Sequence, residues 1–140
     1  MKETKETYQV WFRDCKDYCV NYSEEIDDAI EMANIGDECD MKDMKNKYAD
    51  FIIFAGSALR YGYLGRVISR SEFIQEHLHI DELSELFEEY FYICEYYHNN
   101  DCPEAELEEA RCQMQLSGDK LIAMIDDLAE RIRSHSLLSR

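Results

Sequence analysis

Between Tyr8 and Ala33 the apolar residues recur at steps of three and four without a slip: Tyr8, Trp11, Cys15, Tyr18, Tyr22, Ile26, Ala29 and Ala33. Steps of three and four return side chains to one side of a 3.6-residue helix and do not fit the two-residue repeat of a strand. The spacing predicts one helix over about 4–35, stopped by Gly36 and about 45–50 Å long at 1.5 Å per residue. Ser23 has the chemistry of a cap, but the stripe runs through it in phase.

The same periodicity covers most of the chain. Asp40 reads as an N-cap with Asp43 at the third helical position, opening a helix to about Tyr61. Its second half, FIIFAGSALRYG, is apolar on nearly every side, which predicts a central helix surrounded by the others, with Gly56 at a close approach. Gly62 and Gly65 bracket a turn. A short helix over about 71–79 follows, then a helix over about 82–98 capped by Asp81 and ended by Asn99-Asn100. Pro103 opens a last helix to about 133, where Ser117-Gly118 is a candidate kink. No segment alternates like a strand. The expected fold is all-α. It is a single helical domain over 1–140, a bundle of about five helices with two long ones (about 4–35 and 103–133) and shorter ones between.

A chain of 140 residues is long enough for one real core. With 46% hydrophobic and 12% aromatic residues, it is not a disordered acidic tail. The start, MKETKETYQVWF, lacks an apolar signal core, and the longest uncharged run, Phe51 to Leu59, is too short to span a membrane. These features predict a cytoplasmic protein whose six cysteines are reduced.

The charge is the most informative property. Acidic residues number 31 against 15 basic ones, a net charge of -16, which weighs against direct binding to nucleic acid or an anionic membrane. Residues 71–110 hold thirteen acids and no lysine or arginine; residues 17–41 hold nine more, again with no base. Like charges at i,i+3 and i,i+4, such as Glu82–Glu85, Glu85–Glu88 and Glu104–Glu108, each cost a helix a few tenths of a kcal/mol. A segregation that costs stability points to a surface shaped for a partner.

Residues 81–101 also carry more aromatics than one helix face buries. With residues 83, 86, 87, 90, 94 and 97 turned to the core, Glu82, Glu85, Glu88, Glu89, Tyr92, Glu95 and Tyr96 fall on the other sides. Glu104 and Glu108 extend the acidic surface. Tyrosine beside carboxylate suits recognition of an arginine- or lysine-rich protein. A folded surface of spaced carboxylates can replace a phosphate backbone. In size and charge, though in no motif, the chain resembles small acidic proteins of phages and mobile elements, antirestriction and anti-CRISPR proteins among them. That similarity implies a nucleic-acid mimic that occludes a basic partner such as a host nuclease or effector complex. Two other readings compete: a structural or regulatory helical homodimer whose acidity serves solubility, and a metal-dependent helical enzyme with a carboxylate/His site.

Enzyme motifs are sparse. Glu76/His79 and Glu95/His98 have the Glu-x-x-His spacing of di-iron bundles, and Cys94, His98, Cys102 and Cys112 could be zinc ligands by type. Neither set has the companion residues such sites need. Glu24-Glu25 is followed by Asp28 where a Mg²⁺-binding E-E-x-x-E motif has Glu. No phosphate loop or nucleophile elbow is present. The sequence therefore assigns no catalytic residue, no metal ligand and no cofactor. The bases cluster at Lys42–Lys47 and Arg60–Arg70; Arg60, Arg66 and Arg70, beside Tyr61 and Tyr63, are the one place that could contact phosphate, but are expected instead to pair with the chain's own acids or with the acidic face of a second copy.

Overall fold

The computed structural model describes residues 4–36, 40–98 and 102–135. Among them the regular structure is helical throughout: α1 (Lys5–Asn34), α2 (Met41–Leu64), α3 (Arg70–His98), a 3₁₀ turn (Glu104–Glu106) and α4 (Leu107–His135). Cys39 and the expected stop at Asn99-Asn100 lie outside the described residues.

The helix ends follow their capping chemistry. Thr4 Oγ1 accepts from Thr7 N–H at 3.2 Å, and Asp40 Oδ1 accepts from Asp43 N–H at 3.1 Å. Gly36, with φ +87°, stops α1 as expected. At the end of α2 the left-handed position falls on Arg66 (φ +64°), not on Gly62 or Gly65. Val67 N–H donates to Gly62 O at 2.6 Å and Arg66 N–H to Tyr63 O at 3.0 Å, the paired bonds of a Schellman stop. Gly62 lies inside α2, where a Cβ would come within 3.2 Å of the Phe12 ring.

Three expectations are corrected. Residues 71–79 and 82–98 are not two helices: α3 runs unbroken through Asp81, so three helices have 29 or 30 residues and α2 has 24. Asp81 is exposed and caps nothing. The cap is Ser69, whose Oγ accepts from Glu72 N–H at 3.1 Å and donates to the Glu72 carboxylate at 3.3 Å. A break at Asp81 would leave unsatisfied backbone groups on two new helix ends, while the buried row Ile80, Leu83, Phe87, Tyr90 and Cys94 favours continuity. Second, α2 is not surrounded. Ile53 is 59% exposed, and nothing comes within 4 Å of a Cβ built at Gly56. Third, the last α-helix does not open at Pro103: Glu104–Glu106 form a 3₁₀ turn and α4 starts at Leu107, then runs through Ser117-Gly118 as one helix.

The contacts define an up-down-up-down bundle, each helix antiparallel to its neighbour. Trp11 packs on Tyr61 and Tyr18 on Phe54 between α1 and α2. Tyr48 stacks on Phe87 with centroids 3.7 Å apart, and Tyr63 on Phe73, between α2 and α3. Tyr96 meets Glu106, and Arg131 meets Glu76, between α3 and α4. Gln115 Nε2 donates to Asn34 O at 3.1 Å, which closes α4 onto α1. These seams explain much of the aromatic excess, since rings line the joints between helices as well as the centre. They also explain a rotation of α1. Its innermost residues are Phe12, Cys19, Ile26, Ile30 and Ala33. Trp11 and Tyr22 of the expected stripe lie on the flank toward α2, against Tyr61 and Phe54, Cys15 is half-buried, and Tyr18 is more than half exposed.

Candidate functional site

The outer side of α3 carries the acidic surface. Glu82, Glu85, Glu88 and Glu89 are all exposed, as are Glu104 and Glu108 beyond the turn. Successive turns of a helix rise about 5.4 Å, so the α3 carboxylates form a spaced row. Among the described residues, Glu85, Glu88 and Glu89 make no ion pair, and Glu82 reaches only His79 Nδ1 at 3.8 Å. Tyr92 stands out from the helix, 76% exposed.

Two of the expected contact residues are engaged within the chain. Lys45 of α2 reaches across to Glu95 at 2.5 Å, so Glu95 does have a cationic partner. Tyr96 O–H donates to Glu106 Oε2 at 2.6 Å. That bond holds the Tyr96 phenol well above its ordinary value, because ionising it would set two negative charges against each other.

Sequence reasoning missed the shape of the surface. A hollow of about 240 Å³ lies where α3 meets the start of α4, lined by Tyr92, Ile93, Tyr96, Glu106, Glu109 and Gln113. A second, of about 280 Å³, continues from Ile93 and Gln113 to Leu86, Glu89, Leu116 and Lys120. Together they form one groove along α3 and α4. Leu116 is 72% exposed in it. The available signal was that Leu116 stands off the α4 stripe between Met114 and Leu121. Glu106 and Glu109, rather than Glu104 and Glu108, line the groove.

The proposed metal sets are not brought together. Glu76 turns to Arg131 of α4, with Oε1 3.5 Å from the guanidinium, whereas His79 faces Glu82. Glu95 points to Lys45, while His98 Nε2 lies 3.2 Å from Ala33 O. Cys94 is in the core and Cys112 at the surface. Among the described residues, no group of three or more His, Cys, Asp or Glu is placed to hold a metal ion. No disulfide joins Cys15, Cys19, Cys94, Cys102 and Cys112. Burial raises the Cys15 thiol and pushes Cys19 up to about 12, which makes both poor nucleophiles.

Two polar clusters were not anticipated. Asp27 of α1 faces Asp126 of α4. Burial, a carboxyl–carboxyl contact with Asp126 and the charges of Asp126, Glu31 and Asp28 push Asp27 up to about 8. Its Oδ1 is buried without a hydrogen bond. Between the start of α3 and the end of α4, Glu76 Oε2 and His135 Nε2 are likewise buried and unbonded. Burial lowers His135, against the opposing pull of Glu76 and Glu72.

The basic patch is open. Arg60, Arg66 and Arg70 are exposed and, among the described residues, make no ion pair, so the expected pairing with the chain's own acids is not found. Beside it a groove between α2 and α3 is lined by Ile53, Gly56, Arg60, Leu64, Phe73 and His77. No described helix is long and apolar enough to cross a membrane. No family model, curated protein or solved structure matches the chain.

Proposed function

We propose that this chain is an acidic, all-α binding protein that occludes a basic, nucleic-acid-binding protein, in the manner of a phage or mobile-element anti-defence inhibitor. The observation that carries the reading is the row Glu82, Glu85, Glu88 and Glu89. These carboxylates are exposed on one helix, and Glu85, Glu88 and Glu89 have no ion pair among the described residues. Where cations of α2 and α4 do pair, they pair with other acids, Lys45 with Glu95, Arg131 with Asp127 and Glu76, and Arg133 with Glu130. A row of fixed negative charge beside an exposed tyrosine steers and then holds an arginine-rich surface.

The test is displacement of duplex DNA from purified host nucleases and RNA-guided effector complexes. Wild-type protein should displace DNA from its target at low salt and less at high salt. The variant Glu82→Gln/Glu85→Gln/Glu88→Gln/Glu89→Gln removes four charges and leaves the Lys45–Glu95 pair intact. It should keep or raise its melting temperature, because like-charge repulsion is relieved. Its displacement should weaken by at least a factor of about ten, one charge-assisted contact being worth about 1.5–3 kcal/mol. Displacement indifferent to both salt and these substitutions would sink the reading.

A second reading is a homodimer through the α2–α3 groove. The observation in its favour is the pair of exposed apolar residues Ile53 and Leu64 beside Arg60 in that groove. Sedimentation equilibrium decides it: a monomer at tens of micromolar removes it.

A further inference from the structure

Resting on the basic-partner reading above, we infer that the α3–α4 groove is the seat of one structural element of that partner: an amphipathic helix with arginine or lysine flanking an apolar stripe. The groove has the two chemistries such a helix needs. Its floor is apolar, formed by Leu86, Ile93 and Ala110, with Leu116 and Tyr92 standing exposed along it. Its rim is acidic, with Glu89, Glu106 and Glu109 against the single cation Lys120. Glu106 is held in place by the Tyr96 hydroxyl, so its carboxylate is positioned before a partner arrives.

Shape selects the class of occupant. The two hollows, about 240 and 280 Å³, are open along their length and do not enclose a cavity, which favours an elongated occupant over a buried small molecule. The walls are two helices whose backbone groups are bonded internally, which removes strand addition as a mode. From Glu106 to Lys120 the groove runs about 20 Å at 1.5 Å per residue, the span of roughly four turns of helix. Apolar residues at i, i+3 or i+4, and i+7 would follow the floor. Charge complementarity makes the flanks cationic: a polyanionic or zwitterionic helix would meet three carboxylates.

Fluorescence anisotropy with two synthetic peptides of about 16 residues tests this. Both have the same leucine and arginine composition; one is ordered to form an amphipathic helix and the other is scrambled. The ordered peptide should bind wild-type protein at least tenfold tighter. A Tyr92→Ala/Leu116→Ala variant, altered only at exposed positions and checked for helicity by circular dichroism, should bring the ordered peptide down to the scrambled one. Equal binding of the two peptides to wild-type protein would overturn the groove and leave the broader acidic-surface reading standing. That comparison does not depend on how the variant folds. Failure of both peptides to bind at low salt would remove the groove and the basic-partner reading together. Ordered binding that the double variant leaves intact would place the helix elsewhere and likewise overturn the groove.

Discussion

At about pH 9 an Asp27→Asn variant should unfold roughly 4–8 °C higher than the wild type, and at about pH 5 the two should differ little. Asp27 is raised from 3.8 to about 8 by burial and by facing Asp126. Between those values the folded protein holds a proton that the unfolded chain has lost. Stability is therefore greatest at the acid end of this window and falls as pH rises through it. The unscreened slope is about 1.4 kcal/mol per pH unit. Solvent reaches this partly exposed pair and screens it, leaving about 2 kcal/mol at the alkaline end. Asparagine keeps the shape without the charge, so the variant should lose this slope. Thermal melts at several pH values give the answer, and an identical alkaline loss in both proteins would show that the pair is not its source. His135 works in the opposite direction. Burial lowers it below its usual 6.5, so its contribution is lost as pH falls through that region. The wild type should be most stable in mildly acidic solution.

The second large effect is expected at Gly118. A Gly118→Ala variant should lose about 2 kcal/mol in urea unfolding. A Cβ there would come within 2.5 Å of Asn34 Nδ2 and 3.0 Å of Ile30 Cγ2. Asn34 cannot simply turn aside. It is buried, its Oδ1 accepts from Tyr90 O–H at 3.1 Å, and its carbonyl accepts from Gln115. Overpacking costs about 1–3 kcal/mol and disturbing a buried hydrogen bond about 1–3 more, against about 1 regained from alanine's helix propensity. Gly56→Ala is the matched control. It also lies mid-helix but has open space beside it, so it should be neutral or stabilising by up to about 1 kcal/mol. Equal effects at the two positions would refute the packing account.

The contrast between these glycines shows where sequence reasoning runs out. Periodicity identifies helices because it is local, and caps such as Asp40 and stops such as Gly36 are legible for the same reason. A close approach is not local. Gly56 sits in the most apolar helix yet faces open space, while Gly118, read as a candidate kink, packs tightly against Asn34 and Ile30 of α1. Asp81 misled for a related reason. A cap is worth about 1 kcal/mol, which is less than the cost of two new helix ends. On α1 two apolar stripes lie side by side, and only the positions of α2 and α4 decide which one is innermost. For the surface, the exposure of Glu82, Glu85, Glu88, Glu89 and Tyr92 was readable from the α3 face. The groove was not, because Glu106, Glu109 and Leu116 join it only when α4 folds back along α3.

Asp27–Asp126 and Asn34–Gly118 share one address. Both lie between α1 and α4, where the Gln115–Asn34 bond alone spans 81 positions of sequence. The α1–α2, α2–α3 and α3–α4 seams link helices that follow one another in the chain. Bringing the first helix to the last closes the longest loop, and chain entropy makes such closures late events in folding. A contact formed after the rate-limiting barrier changes mainly the rate of escape from the native state. Alkali and a methyl group at position 118 would then shorten the lifetime of the folded molecule while leaving the speed of its formation nearly unchanged.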